Sequence, residues 1–141
     1  NLRIATELSD GVVVIKLFPG ISESILRAIL SVEGLKGVVL ETYGSGNAPT
    51  SEWFINVLDE AIKRGIIIIN VTQCAGGSVS MDLYETGVGL QSIGVISGRD
   101  MTTEAAVTKL MYLLGGNRPI EECRKLLGKP IKGEFTPEDV A

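Results

Sequence analysis

At 141 residues the chain is long enough for one domain with a self-sufficient core, and its formal net charge of −4 comes with no basic block. Phosphate neutralisation needs clustered Lys and Arg, so nucleic-acid binding is disfavoured. There is no His, which removes the commonest metal ligand and general base, and no apolar run approaches the ~20 residues that span a bilayer.

The apolar fraction is 45% against only 5% aromatic, so the core must rest on Ile, Val, Leu and Ala, the palette of buried parallel strands covered by helices. Cys74 and Cys123 lie far apart and form no C-x-x-C pair, which fits a reduced, cytoplasmic setting. The chain starts at Asn1 without an initiator Met or a signal-peptide pattern, as a processed product or an excised piece of a longer protein would.

In chain order, Val12 to Phe18 reads as a first strand closed by the turn Pro19-Gly20. Ser22 is a fitting N-cap for a helix that places Ile25, Ile29 and Val32 on its inward face, and Gly34 ends it. Gly37 to Thr42 is a second buried strand, followed by a Gly-rich loop from Tyr43 to Pro49. The next helix is capped by Thr50 or Ser51, buries Trp53, Phe54, Val57, Leu58, Ala61 and Ile62, and stops at Gly65. Ile66 to Val71 is the strongest strand. A polar stretch from Thr72 to Ser80 follows, then a short helical segment from Leu83 to Ile93 and a brief strand from Gly94 to Ser97. Asp100 or Thr102 opens a helix through Leu114 with Val107, Leu110, Met111 and Leu114 inward, stopped by Gly115-Gly116. Ile120 to Leu127 is one more short helix before a polar tail. Alternating strands and helices imply right-handed crossovers and a parallel sheet of about four strands, in an order the sequence leaves open.

Ligands of open parallel sheets sit at the carboxyl ends of the strands, which directs attention to three loops. Pro19-Gly20 is most simply a turn. Tyr43 to Thr50 has two glycines that let the backbone approach a ligand or take positive φ, and Asn47 offers both a donor and an acceptor. It lacks the dinucleotide-binding spacing, and residue chemistry alone favours a structural turn. Thr72 to Ser78 could present hydroxyl, amide and thiol groups. Cys74 has no His to activate it, so a structural or ligand-lining role outweighs a nucleophilic one. Cys123 reads as an ordinary helix residue. Asp59-Glu60 and Glu121-Glu122 are better explained as solvated faces than as acid–base pairs, and Asp100 as a cap. Thr108 and Lys109, adjacent on a helix, point in different directions. No complete catalytic constellation assembles.

Taken together, these segments resemble one family. Val39 to Pro49, with Tyr43-Gly44-Ser45-Gly46-Asn47-Ala48-Pro49 at its end, is similar to the Y-G-x-G-N-A-P signature of type I (cytoplasmic) L-asparaginases. Asn70-Val71-Thr72-Gln73-Cys74 matches the N-x-T-Q-C that follows in them. Tyr84-x-x-Gly87, Gly94 to Ala105, Leu17 to Ile21 and Gly133 to Pro137 continue the likeness in order. It covers nearly the whole chain and is confined to the C-terminal domain of that family.

The resemblance implies a flavodoxin-like three-layer α/β domain, here residues 1–141, without the larger N-terminal domain. In family members that domain holds the Thr nucleophile and the Thr-Asp-Lys group that activates a second Thr. It implies hydrolysis of L-asparagine to aspartate and ammonia by the complete homo-oligomer, with no metal or organic cofactor. Asn47, on a loop shaped by Gly44 and Gly46, would enter the substrate pocket of a neighbouring subunit. Some members also bind asparagine as an effector at positions that fall on Thr72, Gln73 and Cys74. Those members carry Arg where this chain has Glu41, and a Glu repels the carboxylate that an Arg would clamp. The competing readings are a non-catalytic amino-acid-binding or regulatory module, a structural dimerisation domain, and the asparaginase-like subunit of a transfer-RNA amidotransferase. The acidic charge gives no support to the last.

Overall fold

The structure is a computed structural model that describes residues 6–81 and 85–137. The expected start of a helix at Leu83, the Tyr84 of the Tyr84-x-x-Gly87 match, and the end of the polar tail lie outside the described residues. The elements are β1 (Val12–Lys16), α1 (Glu23–Leu30), β2 (Gly37–Thr42), α2 (Glu52–Lys63), β3 (Ile67–Thr72), α3 (Glu85–Ser92), β4 (Ile96–Ser97), α4 (Thr103–Gly115) and α5 (Ile120–Leu127).

All four strands are parallel and stand in the order β1-β2-β3-β4, with Val12 opposite Gly37, Gly37 opposite Ile67, and Ile69 opposite Ile96. Each crossover therefore steps the same way across the sheet, and right-handed connections send α1, α2 and α3 to one face. The chain then returns beneath the sheet, where α4 packs on β1, β2 and β3, with α5 against it. The result is the expected three-layer α/β domain.

Strand parity divides the core between the two faces. Ile15, Leu40 and Ile68 point towards Leu26, Leu30, Phe54, Leu58 and Leu90. Val39, Ile67, Ile69 and Val71 point towards Leu110, Leu113 and Leu127. Every residue of β3 is buried, which explains the three successive isoleucines that open it. Full burial of side chains such as Phe54, Leu58 and Leu110 contributes about 1.5–3 kcal/mol each. Gly37 marks a close helix–sheet approach: a Cβ there would stand 2.7 Å from Leu110 Cδ2 and 2.8 Å from Leu114 Cδ1.

The caps follow local chemistry. The Ser22 hydroxyl accepts from Ile25 N–H (3.4 Å), and that of Thr102 from Ala105 N–H (3.2 Å). Ser51 occupies the N-cap of α2 without a side-chain hydrogen bond. Three expectations need correction. α1 buries Leu26 and Leu30, whereas Ile25 and Val32 are exposed and Ile29 only packs at the margin, because the helix is rotated towards α2. α4 turns Ala106, Lys109, Leu110 and Leu113 inward and leaves Val107, Met111 and Leu114 half-buried, because the segment after α5 covers Lys109. Asp100 caps no helix. Its carboxylate accepts from the N–H (2.8 Å) and hydroxyl (2.6 Å) of Thr136, tying down the segment after α5, and those bonds hold it below the usual carboxylate range.

No helix among the described residues is long and apolar enough to cross a membrane.

Candidate functional site at the carboxyl edge

The strands end side by side, and the segments leaving them hydrogen-bond to one another. Gln73 reaches back to Leu17, Ser80 N–H donates to the Ser45 carbonyl (3.0 Å), and Val79 N–H to that of Arg99 (2.8 Å). The loop after β2 is closed by its own backbone hydrogen bonds. Tyr43 and Asn47 form an antiparallel bridge in which each N–H donates to the other's carbonyl at 2.8 Å, and Gly46 N–H also reaches the Tyr43 carbonyl (3.0 Å). Such a tight reversal needs positive φ, supplied by Gly44 (+48°) and Gly46 (+118°). From below, the Thr72 hydroxyl donates to the Gly44 carbonyl. Asn47 is thus held by both backbone groups, half-buried, with its Oδ1 accepting from the Thr86 hydroxyl on α3 (3.4 Å). Among the described residues the loop uses the backbone and Oδ1 of Asn47 and not its Nδ2.

The second group of expected residues is only partly assembled with the first. Thr72 joins it, donating to Gly44 and accepting from Cys74 N–H (3.0 Å). Gln73 turns away: its Nε2 donates to the carbonyls of Leu17 (2.7 Å) and Glu41 (2.9 Å), bracing the ends of β1 and β2. Cys74 is free and exposed. Glu41 is balanced on two sides, its Oε1 accepting from the Thr103 hydroxyl (2.5 Å) and its Oε2 lying 3.7 Å from Lys16 Nζ.

Elsewhere the carboxylates have structural partners. Asp59 pairs with Lys63, and Glu60 with Arg27 across α1 and α2, both at exposed positions. Thr108 donates to the carbonyls of Glu104 and Ala105, while Lys109 is directed to the other side of the helix onto Leu127, Lys129 and Glu134. Burial pushes the Cys123 thiol up, consistent with a core residue donating to the Leu113 carbonyl (3.3 Å). Among the described residues no nucleophile is paired with a base, and no group of three or more Cys, Asp or Glu converges as a metal site.

Two residues under the Asn47 loop were not foreseen. Thr42 and Asn70 are both fully buried, and the Thr42 hydroxyl lies 2.7 Å from Asn70 Oδ1. Asn70 interrupts the apolar run from Ile67 to Val71 at an inward position and opens the Asn70-Val71-Thr72-Gln73-Cys74 segment, and those were the available signals.

Comparison with known proteins places this geometry in a family. The family model of the glutaminase/asparaginase C-terminal domain matches residues 11–127. L-asparaginase 1 of Escherichia coli K12 is 44% identical over 126 residues, which are 89% of this chain and 37% of that protein. The human 60 kDa lysophospholipase is 44% identical over 141 residues, 99% of this chain and 24% of that protein. The crystal structure of L-asparaginase I from Vibrio cholerae superposes with a TM-score of 0.85 at 42% identity, covering 90% of this chain and 38% of that one. The chain thus spans well under half the length of each, and the matched part corresponds to the C-terminal domain of type I asparaginases. The chain belongs to the glutaminase/asparaginase C-terminal domain family.

Proposed function

We propose that this chain works as the C-terminal domain of a cytoplasmic, homo-oligomeric L-asparagine amidohydrolase and contributes Asn47 to the substrate pocket of a neighbouring subunit. The observation that carries this reading is the loop from Tyr43 to Asn47. Two positive-φ glycines and bonds from Thr72 and Ser80 hold one neutral amide side chain at the edge of the sheet. A loop tied at both ends narrows the positions its side chain must search, so less ordering is left for binding to offset.

In this reading a Thr of the N-terminal portion attacks the side-chain amide carbon of asparagine, ammonia departs, and water completes the conversion to aspartate. The chain described here adds binding and orientation, with Gly44 and Gly46 shaping the loop. Thr72, Gln73 and Cys74 remain the positions for an effector asparagine. Glu41, whose carboxylate is held by Thr103 and Lys16, stands where effector-binding members carry Arg and supplies no clamp for the effector's carboxylate. Two free cysteines suit a reducing compartment.

The test is ammonia release from L-asparagine by the chain alone and by the same chain joined to its upstream region. Binding groups without a nucleophile supply only part of the transition-state stabilisation, so the chain alone is expected to be inactive and the joined form active. Hydrolysis by the chain alone would reveal an overlooked nucleophile. Inactivity of both, with asparagine still bound, would favour a regulatory binding module.

A further inference from the structure

Beneath the Asn47 loop lies a buried donor with nothing to donate to. Asn70 is fully buried, its Oδ1 is taken by the Thr42 hydroxyl, and its Nδ2 has no hydrogen-bond partner among the described residues. Buried polar groups are almost always paired, so an orphan in the middle of a sheet calls for a physical reason. The residue above it is Gly46: a Cβ at Gly46 would stand 3.7 Å from Asn70 Nδ2. Gly46 is itself buried and precedes Asn47.

The loop's hydrogen bonds leave one complementary group over. The carbonyls of Tyr43, Gly44, Ser45 and Asn47 each accept a bond, from within the loop or from Thr72 and Ser80. Among the described residues the Gly46 carbonyl takes no part in that network. An unmet buried donor and a carbonyl without a partner among the described residues are therefore neighbours. The peptide that separates them from a bond is the Gly46–Asn47 link; turning it exchanges the Asn47 N–H bond to the Tyr43 carbonyl (2.8 Å) for the bond from Asn70, and glycine at φ +118° brings no side chain to oppose the turn.

We propose that Asn70 is a positioning residue for substrate binding: its Nδ2 captures the Gly46 carbonyl when the Gly46–Asn47 peptide turns, fixing the Asn47 side chain in its ligand-bound orientation. This rests on the assignment of Asn47 to the substrate pocket. Substrate contact at Asn47 and the bond at Gly46 then reinforce each other, because each favours the same peptide orientation. Thr42 keeps the Asn70 amide from rotating away, so the donor stays directed at the loop.

Steady-state kinetics on the full-length enzyme test the idea with three variants. Asn70→Leu removes the donor while the Thr42 hydroxyl keeps the Val71 carbonyl (3.3 Å) as an acceptor. It should raise KM for asparagine about three- to tenfold with kcat changed less than about twofold, the signature of lost binding. Its thermal midpoint should be unchanged or higher, because an unmet polar group has gone. Asn70→Asp keeps the shape and the bond from Thr42 but replaces the donor by a carboxylate. Its KM relative to the unsubstituted enzyme should be raised at neutral pH and fall back as the introduced carboxyl is protonated and can donate. Asn47→Ala serves as the reference and should raise KM on its own. An unchanged KM in Asn70→Leu and a flat relative KM in Asn70→Asp, with Asn47→Ala impaired, would overturn the role of Asn70 and leave the proposed function standing. If Asn47→Ala is also unaffected, the pocket assignment itself falls, and the role of Asn70 with it.

Discussion

Lys109→Met is the substitution whose consequence the structure defines best. The Lys109 side chain is only 5% exposed, and its ammonium donates to the carbonyls of Leu127 (3.0 Å) and Lys129 (2.5 Å) and to Glu134 Oε1 (2.5 Å). It also lies 4.8 Å from the centre of the Phe135 ring. One buried cation thus pins the whole segment after α5 onto α4. Burial pushes the Glu134 carboxyl up, but the Lys109 ammonium and the N–H groups of Lys132 and Ile131 outweigh it and hold it at about 2, against an ordinary value of 4.5. A carboxyl depressed by folding adds stability that is complete above its unfolded pKa and is lost as pH falls towards the folded value. Here that is about 3 kcal/mol, withdrawn between about pH 4.5 and pH 2. Lys109 works against part of this gain, since burial lowers its own pKa despite Glu134.

Methionine keeps the stem's packing but strands the carboxylate, and breaking a buried pair from one side costs about 3–5 kcal/mol. With the methionine packing retained, a loss near 3 kcal/mol is expected, or about 10 °C in melting midpoint for a domain of this size. Urea unfolding followed by the fluorescence of Trp53, the single tryptophan, gives the measurement at pH 7 and pH 3. The gap between the two proteins should narrow at pH 3, because the unsubstituted chain has by then lost most of the Glu134 contribution. A loss below about 1 kcal/mol at pH 7, or identical pH slopes from pH 5 to pH 2, would refute the reasoning.

Three further outcomes follow from the same structure. Arg27→Ala removes a short ion pair with Glu60 (2.6 Å) and another with Glu23, yet all three side chains are exposed, so the melting midpoint should stay within experimental error. Gly46→Ala forces an L side chain into φ +118° and sets its Cβ 3.1 Å from Val79 Cγ1, so it should cost about 1–3 kcal/mol in urea unfolding and raise KM in the full-length enzyme. Glu41→Arg replaces the carboxylate that Thr103 and Lys16 hold by a guanidinium able to clamp an effector's carboxylate, and asparagine saturation of the full-length enzyme should become more sigmoidal than that of the unsubstituted form.

The readability of these elements in the sequence tracks how local their determinants are. The second strand, Gly37–Thr42, and the last helix, Ile120–Leu127, lie where the sequence places them, because glycines and turn residues bound each one. The buried face of α1 was not legible. Ile25/Ile29 and Leu26/Leu30 are both spaced for a helix face, and only contact with α2 selects the second. The inward turn of Lys109 was hidden for a similar reason: its partner Glu134 arrives 25 positions later, after another helix. Asp100 precedes a helix start and so looks like a cap, but Thr136 claims its carboxylate. At the site, the glycines and Asn47 stood out as a motif, while the Thr42–Asn70 pair depends on the register between two strands and emerges only once β2 and β3 are aligned.

The claim that Asn47 acts across a subunit boundary is tested most directly by mixing two impaired forms of the full-length enzyme at an asparagine concentration well below KM. One carries Asn47→Ala; the other lacks the nucleophilic Thr of the N-terminal portion but keeps Asn47. Subunits are exchanged by dissociation and reassembly, and ammonia release from L-asparagine is measured. A mixed oligomer unites an intact nucleophile from one subunit with an intact Asn47 from the other, so activity well above the sum of the two parents is expected. Mixed oligomers that form but recover no activity would contradict a contribution in trans.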